Sequence, residues 1–274
     1  MDFISLFSGI GGLDLGLERA GLTCKAMVEK DDWCRELLAR KWPDVILHDD
    51  VQTFNKEHCS DVMLIAGGFP CQDVSLAGNR VGIEGSRSSL FKEAIRICDE
   101  YKPKYLLLEN VSSLLIKGAE QVFEAIAEVG YDCEWHCIPA GAVGAPHRRD
   151  RIFIIGQRMA DINGKRLEGY RFTPVIDEVS GQAALANYLS STGRKFWEHE
   201  PNLGDLVDGL STHLDARVIE GFKHRALRIP RKRPPRAVVH RRQKIQALGN
   251  AVVPQVAEFL GQQIIKHHRK ELHV

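Results

Sequence analysis

An α/β fold with a mostly parallel sheet follows from two features of the sequence. Through residue 157, short apolar runs of strand length alternate with longer amphipathic patterns of helical length, the alternation that βαβ units require. The rhythm then stops. Residues 158–243 are rich in Gly, Pro, Ser, Thr, His and Arg with few sustained apolar runs, so a small irregular region is expected there.

Taken in order, FISLF (Phe3 to Phe7) is the first strand, followed by glycines and a helical LDLGLERAG that stops at Gly21. TCKAMVE (Thr23 to Glu29) is the second strand. DDWCRELLARKW is a helix that opens on acids and ends before Pro43, as helix ends should. VMLIA (Val62 to Ala66) is a strand, SLFKEAIRICDEY a helix, KYLLLEN a strand and GAEQVFEAIAEVG a helix closed by glycine. WHCIPA and RIFIIGQ supply two further strands. Regular structure returns in VVPQVAEFLGQQIIKHHRK, where Val256, Phe259, Leu260, Ile264 and Ile265 recur at helical spacing. The HHRK at its end is expected to be a solvated helix terminus.

At 274 residues, 44% apolar and 27% charged, the chain has the composition of an ordinary globular protein. No apolar stretch approaches the roughly 18 residues of a membrane span, and the N-terminus carries no basic flank or cleavage site. A cytoplasmic protein without a membrane partner is expected. Seven cysteines without regular spacing make no disulfide framework. Of the 37 Lys and Arg, ten fall in Lys223 to Lys244 with no acid among them, leaving an acidic body of 27 against 36. Such a segment is either a polyanion-binding face or a solvated loop.

Three motifs carry possible chemistry. FSGIGGLDLG (Phe7 to Gly16) places Gly9, Gly11 and Gly12 between a strand and a helix, where a ligand could approach the backbone and the helix N-terminus. About 18 residues on, Glu29 stands where an acid can accept from ribose hydroxyls. These features suit a nucleoside-type cofactor without choosing it, since a dehydrogenase would satisfy them equally. GGFPCQDVS (Gly67 to Ser75) puts Cys71 on a loop at a strand end, either as a thiolate nucleophile or as an incidental thiol. Glu109 and Asn110 close the strand KYLLLEN, placing an acid at the sheet edge where open α/β proteins build their sites. Cys133, His136 and Cys137 lack further ligands at zinc spacing, so two structural thiols and no metal site are expected.

Together, FSGIGGLDLG, Glu29, GGFPCQ, Glu109-Asn110-Val111, HRRDRIFIIG (His147 to Gly156) and GNAVVP (Gly249 to Pro254) resemble, in order and spacing, the cytosine-5 DNA methyltransferase family of bacterial or phage type. The resemblance covers about residues 1–157 and 245–270. It implies a Rossmann-like S-adenosylmethionine-dependent methyltransferase sheet with helices on both faces, plus a small target-recognition domain. The implied division is a catalytic and cofactor-binding domain over 1–157, a target-recognition region over 158–243, and a C-terminal segment, 244–274, returning to the catalytic domain.

The resemblance implies that Cys71 attacks carbon 6 of cytosine, that Glu109 binds ring N3, and that Arg149 and Arg151 hold the base and the catalytic loop. It also implies S-adenosylmethionine contacts from Phe7, Gly9, Gly11, Gly12, Glu29, Asp50, Gly68, Pro70, Asn250 and Val252. Double-stranded DNA is the implied partner, with Gln72, Ser75, Arg231, Lys232, Arg233, Arg241 and Arg242 expected to contact it. A monomer is expected, with functional pairing to a restriction endonuclease. An RNA methyltransferase of the same fold would keep every catalytic residue, and a DNA-binding protein on a disabled scaffold is the alternative of another class. The arginine-and-leucine motif that many relatives carry before the C-terminal motif is not recognisable here; RKRPPRAVVHRRQ stands in its place.

Overall fold

Strand β1 (Asp2–Leu6) lies in the interior of a seven-stranded sheet of order β3-β2-β1-β4-β5-β7-β6. The computed structural model describes residues 1–70, 89–145, 147, 149–159, 172–176 and 247–272. After β1 come α1 (Gly12–Arg19), β2 (Thr23–Val28), α2 (Asp32–Lys41), β3 (Ile46–His48), β4 (Leu64–Gly68), α3 (Ser89–Tyr101) and β5 (Tyr105–Val111). Helices α4 (Leu114–Lys117) and α5 (Ala119–Glu128) lead to β6 (Tyr131–Pro139), a 3-10 turn (Ala140–Val143), β7 (Asp150–Arg158) and finally α6 (Pro254–Leu272). The first five strands run parallel, and β7 runs antiparallel to both β5 and β6. The mostly parallel α/β sheet read from the sequence is therefore the observed one.

Both faces of the sheet are buried, which is why its strands read as apolar runs rather than alternating ones. Phe3, Leu64, Ala66, Tyr105, Leu107, Phe153 and Ile155 point to one face, where they pack with α1 and α6 through Leu17, Val256, Phe259 and Leu260. Their neighbours Ile4, Ile65, Leu106, Leu108, Ile152 and Ile154 point to the other, against Phe91, Ala94 and Ile97 of α3 and Val122 and Ile126 of α5. Each fully buried Leu or Ile stabilises the fold by about 1.5–3 kcal/mol. Helix α2 begins where the Asp31 side chain accepts from the Cys34 amide at 2.9 Å, a cap that contributes about 1 kcal/mol.

Strand order reverses at β1. From it the chain proceeds outward through β2 and β3, then crosses to β4 on the other side. In open α/β sheets ligands bind at such a switch point, outside the carboxyl ends of the strands.

Two sequence expectations need correction. The end of α6 is not wholly solvated: His267 is buried, with Nδ1 3.1 Å from the Tyr105 hydroxyl and Nε2 3.1 Å from the Thr173 carbonyl oxygen. It stands three residues after buried Ile264, on the helix's inner face. Cys137 is a surface thiol rather than a structural one, because alternate residues of the edge strand β6 face outward. Of the expected recognition region, only residues 158, 159 and 172–176 are described. Val175 and Ile176 are anchored there, their amides donating to Glu134 Oε1 at 2.9 and 3.1 Å.

Asp14 sits on α1 at 0% exposure, and neither carboxylate oxygen has a hydrogen-bond partner among the described residues. Burial pushes its pKa up to about 7, and the Ser5 hydroxyl nearby only partly offsets this. The folded protein therefore holds a proton that the unfolded chain releases near pH 3.8. Stability from this group is complete below that pH and is lost as pH rises to about 7. Between pH 5 and 8 the wild type should lose on the order of 3 kcal/mol that Asp14→Asn does not. Urea midpoints at the two pH values measure the difference, and parallel losses would contradict it.

Candidate active site

The carboxyl edge of the sheet opens into a cleft of about 540 Å³ at the β1/β4 switch point. One end is built from the turns after β1, β2 and β3. Phe7, Ser8 and Gly9 leave β1 and line the cleft, with Phe7 and Gly9 in left-handed backbone conformation at φ 55° and 57°. A side chain at Gly9 would meet no described atom within 4 Å, so the loop faces open space. Glu29, after β2, accepts from the Gly9 amide at 2.7 Å and from the Asp31 amide at 2.8 Å. One carboxylate thus ties the glycine loop to the start of α2 and keeps lone pairs for further donors.

Asp50 follows β3 and lines the cleft, whereas Asp49 is exposed and does not. The Gln52 amide, donating at 3.0 Å, and then Lys30 hold the Asp50 carboxyl below the usual range, so it is ionised at neutral pH. Trp33, Val51 and Leu90 add apolar walls.

Gly11 and Gly12 serve the loop from behind. Neither lines the cleft. A Cβ on Gly12 would lie 2.3 Å from the carbonyl oxygen of Val252, so only glycine lets the C-terminal segment press against the loop. Through that contact Asn250, Ala251 and Val252 come to line the cleft.

At the other end stand the termini of β4, β5 and β7. Residue 111 pairs with Arg151 across the antiparallel ladder, which puts Arg151 diagonal to Glu109 on one face. Arg151 Nε lies 2.8 Å from Glu109 Oε1. Glu109 is 6% exposed, yet Oε1 has no aligned hydrogen-bond donor among the described residues. Burial raises its pKa; Arg151, and then Arg149, pull it back without restoring it. Such a carboxyl is poised to donate a proton into the cleft as well as to accept one. Gly68, beside Glu109 in the sheet, makes room for it: a Cβ there would lie 2.8 Å from Glu109 Oε2.

Asn110 is a site residue to which the sequence reading assigned no role. It is buried, its amide donates to the Phe69 carbonyl at 3.0 Å, and its side-chain oxygen accepts from the Val111 amide at 2.8 Å. It locks the end of β5 to the lead-in of the cysteine loop, of which Pro70 lines the cleft. Cys71, Gln72, Ser75, Arg231, Lys232, Arg233, Arg241 and Arg242 lie outside the described residues. Among the described thiols, Cys34 lines the cleft, but burial, Glu29 and Asp31 all push its pKa up, which leaves it a poor nucleophile at neutral pH.

The apolar walls, the two acids and the open glycine loop at one end, and the buried carboxyl–guanidinium pair at the other, give the cleft two chemically distinct halves. One suits a nucleoside-bearing molecule. The other presents a buried carboxyl, held beside a guanidinium, to whatever enters it.

The profile of the family described as C-5 cytosine-specific DNA methylase matches residues 1–225. The chain is 34% identical over 169 residues to the type II methyltransferase M2.BsuMI of Bacillus subtilis, covering 59% of this chain and 43% of that one. The first three relatives match over less than half of their own length. The type II methyltransferase M.NgoMIV of Neisseria gonorrhoeae aligns over 99% of this chain and 100% of its own, at 29% identity. In fold, the chain is similar to the crystal structure of S. pombe Dnmt2 methyltransferase, with a TM-score of 0.60, 18% identity, and coverage of 97% and 99%.

Proposed function

Because the chain belongs to the C-5 cytosine-specific DNA methylase family, we propose that it transfers a methyl group from S-adenosylmethionine to carbon 5 of a cytosine flipped out of double-stranded DNA. The observation that carries this reading is the buried Glu109–Arg151 pair, which shares one cleft with Pro70, the residue before Cys71, and with the glycine loop and Glu29.

S-adenosylmethionine, when bound, supplies an electrophilic methyl group on a sulfonium. The cleft fits it: Glu29 and Asp50 offer acceptors for hydroxyl and amino groups, Trp33, Val51 and Leu90 offer apolar contact, and the open loop at Gly9 leaves space for its remainder. At the other end, the Cys71 thiolate adds to carbon 6 of the cytosine. Glu109, whose pKa burial raises against the pull of Arg151 and Arg149, donates to ring N3 and neutralises the charge that the addition places on the ring. Arg151 fixes the carboxyl through its ion pair. Carbon 5 would then take the methyl group from the sulfonium, which leaves as a neutral thioether; a base removes the carbon 5 proton, ring N3 returns its proton to Glu109, and the thiolate leaves carbon 6, restoring the double bond and the free enzyme. Flipping the base costs a few kcal/mol, which contacts from the basic segment Lys223 to Lys244 would offset. A restriction endonuclease that cuts the same sequence is the fitting functional partner, as the names of the type II relatives suggest.

The test is methyl transfer in vitro. With labelled S-adenosylmethionine, the purified protein should label unmethylated genomic DNA on cytosine carbon 5 and leave tRNA unlabelled. Label in tRNA alone would assign an RNA substrate. No label in either would make the protein a binding relative.

A further inference from the structure

Arg149 does not line the cleft that its neighbour Arg151 enters. Its backbone is held at φ 34°, a left-handed conformation rare for a side chain of this size. That turn sends its guanidinium to the C-terminal segment: Nη1 donates to the Gly249 carbonyl at 2.8 Å, and Nη2 donates to the Ala251 carbonyl. The two acceptors bracket Asn250 across 100 residues of chain, as a planar fork with fixed donors can and an ammonium cannot. Asn250, Ala251 and Val252 face the cleft, and Val252 also presses on Gly12. The same wall is thus held from both sides, by the glycine loop and by Arg149. Burial and the charge of Arg151 both work against the Arg149 cation, which Glu109 favours; the site keeps it there despite that cost.

The resemblance implies a place for Arg149 at the base. We propose instead that Arg149 is a positioning residue for the cofactor: its guanidinium straps residues 249–251 against the cleft and so sets the affinity for S-adenosylmethionine. This rests on the reading that the cleft binds that molecule.

Titration calorimetry of S-adenosylmethionine into the full chain, without DNA, tests it. Arg149→Ala should weaken binding about ten-fold or more, the scale expected when two charge-assisted hydrogen bonds are lost. Arg149→Lys, which reaches one carbonyl at a time, should fall between. Arg151→Ala should stay within about two-fold of wild type, because its guanidinium serves Glu109. Millimolar methylguanidinium should restore part of the affinity of Arg149→Ala, a rescue that general loosening of the fold would not show. If Arg149→Ala fails to fold, the Arg149→Lys loss, about three-fold or more, carries the test. Affinities of both Arg149 variants equal to wild type, or an equal loss in Arg151→Ala, would overturn the assignment while leaving the cofactor reading intact. A wild type that binds no S-adenosylmethionine would overturn both.

Discussion

Cys71→Ala is expected to lower methyl transfer by at least about 10⁴-fold, the scale on which removal of a covalent nucleophile acts, while S-adenosylmethionine binds as it does to wild type. The separation follows from the architecture. The proposed cofactor half of the cleft is built from the turns after β1, β2 and β3 and from the C-terminal segment. The cysteine follows β4 instead, past Phe69 and Pro70, where Asn110 holds the chain by its Phe69 carbonyl. No other described thiol is placed to substitute: Cys34 shares the cleft but is pushed toward its neutral form, and Cys24 and Cys98 are buried in the two cores. Initial rates and calorimetry on the same preparations check both halves of the expectation. Turnover near wild type, or a parallel loss of cofactor binding, would contradict it.

Glu109→Gln is expected to slow single-turnover methylation by about 10²–10³-fold with little change in DNA binding. Glutamine keeps the shape and can still donate to ring N3, but it cannot deliver a proton as the ring gains electrons. The wild-type carboxyl is raised by burial, against Arg151 and then Arg149. Its protonated form therefore persists to higher pH than in a solvated glutamate, and the rate should decline as pH rises through that elevated pKa. The variant should lack this limb. Arg151→Ala, by removing the stronger of the two cations, should move the limb to higher pH as well as lowering the rate. Identical pH profiles for wild type and Glu109→Gln would exclude the carboxyl from the chemistry.

What could be read from the sequence was what depends on near neighbours. The glycines of Phe7 to Gly16 and the acid Glu29 follow successive strands, so their meeting at one edge follows from strand order alone. Glu109 was visible for the same reason, as the acid that closes an apolar strand. Strand β3 was missed because three residues, one of them exposed, carry no periodicity. Contacts between a side chain and a distant backbone left no local pattern. The bond from Asn110 to Phe69 spans 41 residues and that from Arg149 to Ala251 spans 102. Asp14 and His267 are different, because a signal was present. Asp14 lies among leucines on a helix covered by α6 as well as by the sheet, and His267 continues the apolar face of Leu260 and Ile264. A titratable residue in phase with a buried face is the pattern that would have found both.

Covalent attack by Cys71 is tested most directly with genomic DNA copied with 5-fluorodeoxycytidine triphosphate in place of the normal nucleotide. Fluorine at carbon 5 cannot leave as a proton does, so after methyl transfer the thioether at carbon 6 has no route to eliminate. Incubated with this DNA and S-adenosylmethionine, the wild type should form a denaturation-resistant complex whose attachment maps by peptide mass to Cys71, and Cys71→Ala should form none. Methylation of ordinary DNA without any such complex, or attachment through another residue such as Cys34, would contradict it.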